Sequence, residues 1–120
     1  MSVSNEKSNP LQPLVGRELS AVVFVRDYVQ FQFDGPTLTA VNDPIVLANR
    51  CTYQSPTPGY RDALCERIGH AVIAADFAEG EELRIELDDQ STIFISLRPH
   101  DYVHGPEAVI FHHGEDTWVW

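Results

Sequence analysis

Residues 14–21, Leu-Val-Gly-Arg-Glu-Leu-Ser-Ala, lie over residues 67–74, Arg-Ile-Gly-His-Ala-Val-Ile-Ala, with Gly16 on Gly69. The match continues at the same offset to Phe24 on Phe77. With one extra residue admitted at each turn, Val29, Phe31, Phe33 and Asp34 fall on Leu83, Ile85, Leu87 and Asp88, and Thr37-Leu38 on Thr92-Ile93. Whatever one half folds into, the other is expected to repeat.

The alternation within each half names the element. Leu83, Ile85 and Leu87 point one way and Glu82, Arg84 and Glu86 the other, the period of a strand with one wet face; Val29, Phe31 and Phe33 against Tyr28, Gln30 and Gln32 repeat it. The connections Arg26-Asp27, Asp34-Gly35-Pro36, Glu79-Gly80-Glu81 and Asp88-Asp89-Gln90 are short and rich in turn formers, which suits antiparallel hairpins. Each half is therefore expected to be a three-stranded antiparallel meander. Three strands leave one apolar face uncovered, so the two meanders should pack on each other. The expected fold is mostly β: two pseudo-symmetric meanders forming a barrel or roll, preferred over an open sandwich because closure removes edges, plus a C-terminal hairpin and one short helix. The stretch 18–25 is apolar on both faces and is expected to be the most buried strand.

Between the halves, Gln54 to Gly59 carries two prolines and breaks structure, and Tyr60, Leu64 and Ile68 then recur at steps of four, predicting a helix over 60–68 with Gly69 at its C-cap. Ile45 to Cys51, opened by Pro44, reads as a further short strand. Ala108–His112 and Thr117–Trp120 read as the last hairpin, turning at His113-Gly114-Glu115. Trp118 and Trp120 share a face and need cover, so that strand is expected to dock in the sheet or at a subunit contact. Residues 1–13 are polar and aperiodic and read as a flexible lead-in; 14–120 reads as a single β domain with its repeat at about 14–41 and 67–97.

Charge narrows the partners. A net charge of −10 with only eight scattered Lys and Arg disfavours nucleic acid and anionic membranes, and allows attraction to a basic protein. No apolar stretch approaches a membrane span and the first residues lack a signal-peptide core, so the expected compartment is the cytoplasm. There Cys51 and Cys65 are expected to be reduced, small buried hydrophobes, with Cys65 facing the core beside Leu64.

Candidate chemistry is sparse. Four of the five histidines lie between 100 and 113, and His100, Asp101, His104 and His112 could supply a metal's nitrogen and oxygen ligands, although Pro99, Gly105 and Pro106 deny the His-x-x-x-His spacing a helix. The carboxylates of Asp88-Asp89 and Glu79-Gly80-Glu81-Glu82 sit at turns, where solubility and turn chemistry are their ordinary roles. There is no nucleophile elbow, Cys-x-x-Cys or phosphate-cradling loop, and neither a catalytic residue nor a cofactor is expected. Two further functions fit a scaffold: a protein-binding face using Phe24, Tyr28, Gln30 and Gln32, including self-association, and a small-ligand barrel lined by Phe31, Phe33, Ile85 and Tyr102.

The runs Gly59-Tyr60-Arg61-Asp62-Ala63-Leu64-Cys65, Ile95-Ser96-Leu97-Arg98-Pro99-His100-Asp101-Tyr102, Gly105-Pro106-Glu107-Ala108 and Trp118-Val119-Trp120 resemble a family of small uncharacterised bacterial proteins, a domain of unknown function, over roughly 14–120. The resemblance implies a bacterial cytosolic domain and brings no activity, cofactor or catalytic residue. In its small acidic build the chain also resembles immunity proteins of bacterial toxin systems, without a shared motif. The function expected from all this is a non-enzymatic protein-binding or scaffold module.

Overall fold

The computed structural model describes residues 9–120. Ten strands and one helix follow one another: β1 (Ala21–Val25), β2 (Tyr28–Gln32), β3 (Thr37–Ala40), β4 (Ile45–Ala48), β5 (Cys51–Tyr53), α1 (Tyr60–Cys65), β6 (Val72–Ala78), β7 (Glu82–Leu87), β8 (Thr92–Ser96), β9 (Val109–His113) and β10 (Asp116–Val119). They form two antiparallel five-stranded sheets, β1-β2-β3-β9-β10 and β5-β4-β8-β7-β6. The mostly β class is as the alternation requires, and both meanders are present.

The hairpins are exchanged. β4-β5 follows the first meander in the chain yet joins the second through β8, and β9-β10 follows the second yet joins the first through β3. Asn49 and Arg50, at φ 53° and 65°, make the two-residue turn of the β4-β5 hairpin, where both central residues take the left-handed conformation that matches strand twist. A further ladder lies just before β1 and β6. The Gly16 N–H donates to the Val72 carbonyl and the Gly69 N–H to that of Leu19, both at 2.8 Å; Val72 N–H donates to Arg17 O (2.8 Å) and Leu19 N–H to His70 O (3.0 Å). Gly16 and Gly69 sit at φ 91° and 95°, a conformation glycine reaches without steric cost.

The inward trios meet in one core. Phe31, Phe33, Leu83, Ile85 and Leu87 are wholly buried and Val29 nearly so, with Leu38, Ile93, Val109 and Phe111 from the flanking strands. The Tyr60 hydroxyl donates to the Pro44 carbonyl at 2.6 Å, fixing α1 to the entry of β4. Burial, with Asp43 adding to it, pushes this phenol well above its ordinary range and keeps it a donor.

Four expectations are corrected. The stretch 45–51 is not one strand: the chain turns at Asn49 and Arg50, so β4 ends at Ala48 and β5 starts at Cys51. β1 is an edge strand, and far from being the most buried it contains no buried residue; Val22 and Phe24 pack inward but Val23 and Val25 stay 38% and 42% exposed, because among the described residues no element covers the outer face. The lead-in is shorter than 1–13: Leu11 is fully buried, Gln12–Leu14 form a 3-10 turn, and the Asn9 amide donates to the Ala75 carbonyl, so this segment packs on β6. Residues 1–8 of that stretch lie outside the described residues. The helix ends at Cys65 rather than Ile68, which is 41% exposed, and Gly69 serves the ladder with Leu19 instead of a cap. Among the described residues no helix is long and apolar enough to cross a membrane.

Candidate functional site

His100 lies on the 3-10 turn Pro99–Asp101, His104 in the loop beyond it, and His112 on β9 with Nδ1 3.0 Å from Thr117 Oγ1. Only His100 and Asp101 approach each other, at 3.7 Å, and the four residues His100, Asp101, His104 and His112 do not gather into a ligand set. Proline and glycine around 99–106 confine the first three to a 3-10 turn and the loop beyond it, while β9 carries His112 away on the sheet. Asp101 instead accepts from the Ser96 hydroxyl. It lines a surface cavity of about 270 Å³ together with Asn42, Asp43 and Gln54. Asn42 donates its amide to the Ser96 carbonyl at 2.7 Å and buries its Oδ1 with no partner among the described residues. Such an unmet acceptor costs about 1–3 kcal/mol unless something reaches it.

Among the described residues, one histidine and two carboxylates do converge: His70, Asp88 and Asp89. His70 Nδ1 lies 2.9 Å from Asp88 Oδ1 and Nε2 3.7 Å from Asp89 Oδ2. His70 turns a different ring nitrogen to each carboxylate, Nδ1 to Asp88 and Nε2 to Asp89, so neither nitrogen faces both acids. Asp89 also already holds a cation. The Arg67 guanidinium, on a residue only 5% exposed, donates to Asp89 Oδ2 at 2.8 Å and to the Ala63 carbonyl at 3.0 Å. Burial raises the Asp89 carboxyl, but the side-chain and backbone bonds from Ser91, then Arg67 and His70, outweigh it and hold the group below the usual range. The cluster fastens the β7-β8 turn to the end of α1, and its chemistry is that of a structural ion pair.

The outer face of the first sheet is different. Cross-strand register places Val23, Gln30, Thr39, Ile110 and Val119 in one row, Ala21, Gln32, Thr37, His112 and Thr117 in the next, and Val25 beside Tyr28. No Asp, Glu, Lys or Arg stands among them, in a chain of net charge −10. The Gln30 amide donates to Thr39 Oγ1 and the Gln32 amide to Gln30 Oε1, so the polar groups are tied along the face. Acids collect at its ends instead: Asp27, Asp34, Glu115 and Asp116 are all exposed, with Arg26 beside Asp27 and the Arg17 guanidinium on the Asp34 carbonyl as basic exceptions. Tyr28, Gln30 and Gln32 lie on this face as expected; Phe24 does not, since its register with Val29 turns it to the core side.

The other opening lies where β6 meets the β9-β10 hairpin. A cavity of about 230 Å³ is lined by Phe77, Leu97, Tyr102, Trp118, Trp120 and Glu79, among others. Trp120 meets Phe77 edge-on at 5.0 Å between centroids and Trp118 stacks on Phe111 at 5.5 Å, so both indoles are cover for the core and wall for the cavity. Tyr102 belongs here, while Phe31, Phe33 and Ile85 are wholly buried in the core and line neither this cavity nor the one beside Asn42. Cys51 and Cys65 are both free and both exposed, against the expectation of burial: Ala63 and Leu64 take the buried face of α1 and turn Cys65 outward.

The uncharged face was partly readable as Tyr28, Gln30 and Gln32 set against their repeat counterparts; its other half needed the β3-β9 register. The Arg67 cluster had a weaker signal, a lone arginine where the first half has Leu14. Comparison of this chain with models of known protein families, with curated proteins and with solved structures finds no match.

Proposed function

We propose that this chain is a non-enzymatic protein-binding module, a roll whose halves are related by an approximate two-fold axis, and that it docks a protein partner on the outer face of β1-β2-β3-β9-β10. Support for the two-fold comes from the ladder before β1 and β6: exchanging Gly16 with Gly69, Arg17 with His70 and Leu19 with Val72 turns each of its bonds into another bond of the same ladder. The observation that carries the binding reading is the missing charge. Folding in water does not require a five-stranded outer face to lack ionised side chains, and depletion of charge is what sets the centre of a protein interface apart from the remaining surface. The acidic ends of the strands then select the partner, an uncharged patch ringed by Lys and Arg, since like-charged rims repel and opposite ones steer association.

The counterpart of Gln30 in the second sheet is Arg84, which supplies the test. Protein is immobilised from wild type, Gln30→Arg and Arg84→Gln, and retained proteins are compared at low and high salt, with light scattering of the free chain alongside. A basic protein held by wild type and Arg84→Gln, released by Gln30→Arg and weakened by salt, is the expected result. Equal retention by all three variants, or no retention at all, overturns it. A stable dimer lost in Gln30→Arg would assign the face to a second copy and overturn the choice of a basic partner.

A further inference from the structure

Asn42, in the loop between β3 and β4, has its side chain fixed from one end. The residue is only 3% exposed, and the Ser96 carbonyl 2.7 Å away can only accept, so the amide nitrogen must face it and Oδ1 is the limb left over. That buried oxygen has no partner among the described residues. Asn42 lines the cavity of about 270 Å³ between the β3-β4 loop and the end of β8, and the polar groups around it there share one character. Asp43 and Asp101 bring carboxylates and Gln54 an amide, and among the described residues no Lys or Arg lines the wall. Asp101 Oδ2 accepts from the Ser96 hydroxyl, and its Oδ1 lies 3.7 Å from the exposed His100 ring. Ile45 and Val103 complete the wall with apolar surface.

We propose that this cavity binds a primary alkylammonium group, which donates an N–H to Asn42 Oδ1, balances its charge on Asp43 and Asp101, and lays its methylenes against Ile45 and Val103. Each part of the site selects that ligand. A buried acceptor calls for a donor, since leaving it unmet is what folding avoids. Two carboxylates without a lining Lys or Arg call for positive charge, and an ammonium group carries three N–H donors and no acceptor. The apolar walls suit an alkyl stem, which lies along such surface while its charged head stays among polar groups. A calcium ion fits less well: it takes about six to eight oxygens, and one oxygen of Asp101 is already engaged by Ser96. The inference stands independently of the uncharged outer face of the first sheet, with which the cavity shares no residue.

The Asn42 side-chain amide resonance is the reporter, because its nitrogen rests on Ser96 while its oxygen meets the ligand. It is followed in the full chain at about pH 8, where an unperturbed histidine is neutral. The probes are N-acetyl-lysine amide and 1,4-diaminobutane. Beside them run the Nε-acetyl form of the lysine probe, which lacks the charge, the Nε-trimethyl form, which keeps the charge and has no N–H on that nitrogen, and calcium chloride alone. Both ammonium probes are expected to shift the resonance saturably, and the other three to leave it in place; the tighter of the two assigns the source, a partner's lysine or a free amine. Asp43→Asn and Asp101→Asn, both at exposed or half-exposed side chains, are each expected to weaken the ammonium probes about five-fold, the scale of one exposed ionic contact. Lys7→Gln is measured alongside, since Lys7 is the chain's one lysine. Binding seen only in that variant would make the chain's own side chain the occupant and overturn an external ligand. An Asn42 amide that moves with neither ammonium probe, moves equally with the acetyl or trimethyl form, or saturates with calcium alone also overturns the proposal.

Discussion

β2 and β7 occupy the same place in the two sheets and share one inward face, Val29, Phe31 and Phe33 in the first and Leu83, Ile85 and Leu87 in the second, all buried. Their outward residues part company: Tyr28, Gln30 and Gln32 stand where the other strand has Glu82, Arg84 and Glu86. Around that second trio the register adds Asp76, whose carboxylate lies 3.8 Å from Arg84, and Phe94 and Ile45 beyond it. A water-facing surface accepts charge freely, and the outer face of the second sheet carries both signs alongside the exposed Leu47 and Ile73. Inward positions were held alike by a shared core, whereas outward ones record what each sheet faces, and that difference is where function is to be sought.

The largest effect breaks the part the two strands have in common. Phe31→Ala should destabilise the domain by about 3–5 kcal/mol and Ile85→Ala by about 2–5 kcal/mol, the range for cavities left in close-packed cores. Because both side chains belong to one core, either variant should lower the urea midpoint of a single transition seen equally by tryptophan fluorescence and far-UV circular dichroism. Two separated transitions would mean that the sheets fold as independent units.

The next effect belongs to the second sheet alone. Arg67 is buried where the first half has Leu14, and it is neutralised chiefly by Asp89. Asp89→Asn leaves a buried guanidinium short of its counter-ion and should cost about 3 kcal/mol at neutral pH, the lower end for broken buried pairs because Glu66 and the Ala63 carbonyl remain. The sign with pH follows from the lowered Asp89 carboxyl. A group whose folded-state value lies below its unfolded one, ordinarily near 3.9 for aspartate, stabilises fully above the unfolded value and loses that contribution as pH falls through the folded one. The gap between wild type and Asp89→Asn should therefore close as pH falls below about 4. A gap that widens in acid would remove Asp89 as the partner of Arg67.

Much of this was legible in the sequence, and the limits have physical causes. Alternation over 28–33 and 82–87 fixed which residues enter the core, since burial on one face leaves a period of two. The exchange of hairpins left no such trace, because β3 meeting β9 and β8 meeting β4 are long-range pairings that local pattern does not encode. β1 misled for a related reason: apolar residues on both sides usually signal a central strand, but Val23 and Val25 are the rim of the uncharged outer face. The same confusion placed Phe24 on the binding surface when its ring turns to the core side. Clustering in sequence made His100, His104 and His112 look like ligands, whereas the three groups that do meet, His70, Asp88 and Asp89, come together only because the β7-β8 turn folds back beside the residues before β6.

The smallest expected change sharpens the comparison most. Gln30→Arg and Arg84→Gln exchange the outward residues of β2 and β7 without touching the core, and each should leave stability within about 0.5 kcal/mol, as surface substitutions away from buried features do. Arg84→Gln gives up only a loose ion pair of 3.8 Å between half-exposed groups, and Gln30→Arg gives up one amide bond to Thr39 that the longer side chain's aliphatic stem partly covers. Equal denaturation midpoints for the two variants, alongside binding lost in Gln30→Arg alone, would show that the first sheet's uncharged face is kept for recognition and not for folding. If Gln30→Arg instead lowers stability by well over 1 kcal/mol, the Gln30, Gln32 and Thr39 chain is itself structural, and the lack of charge follows from packing on that face.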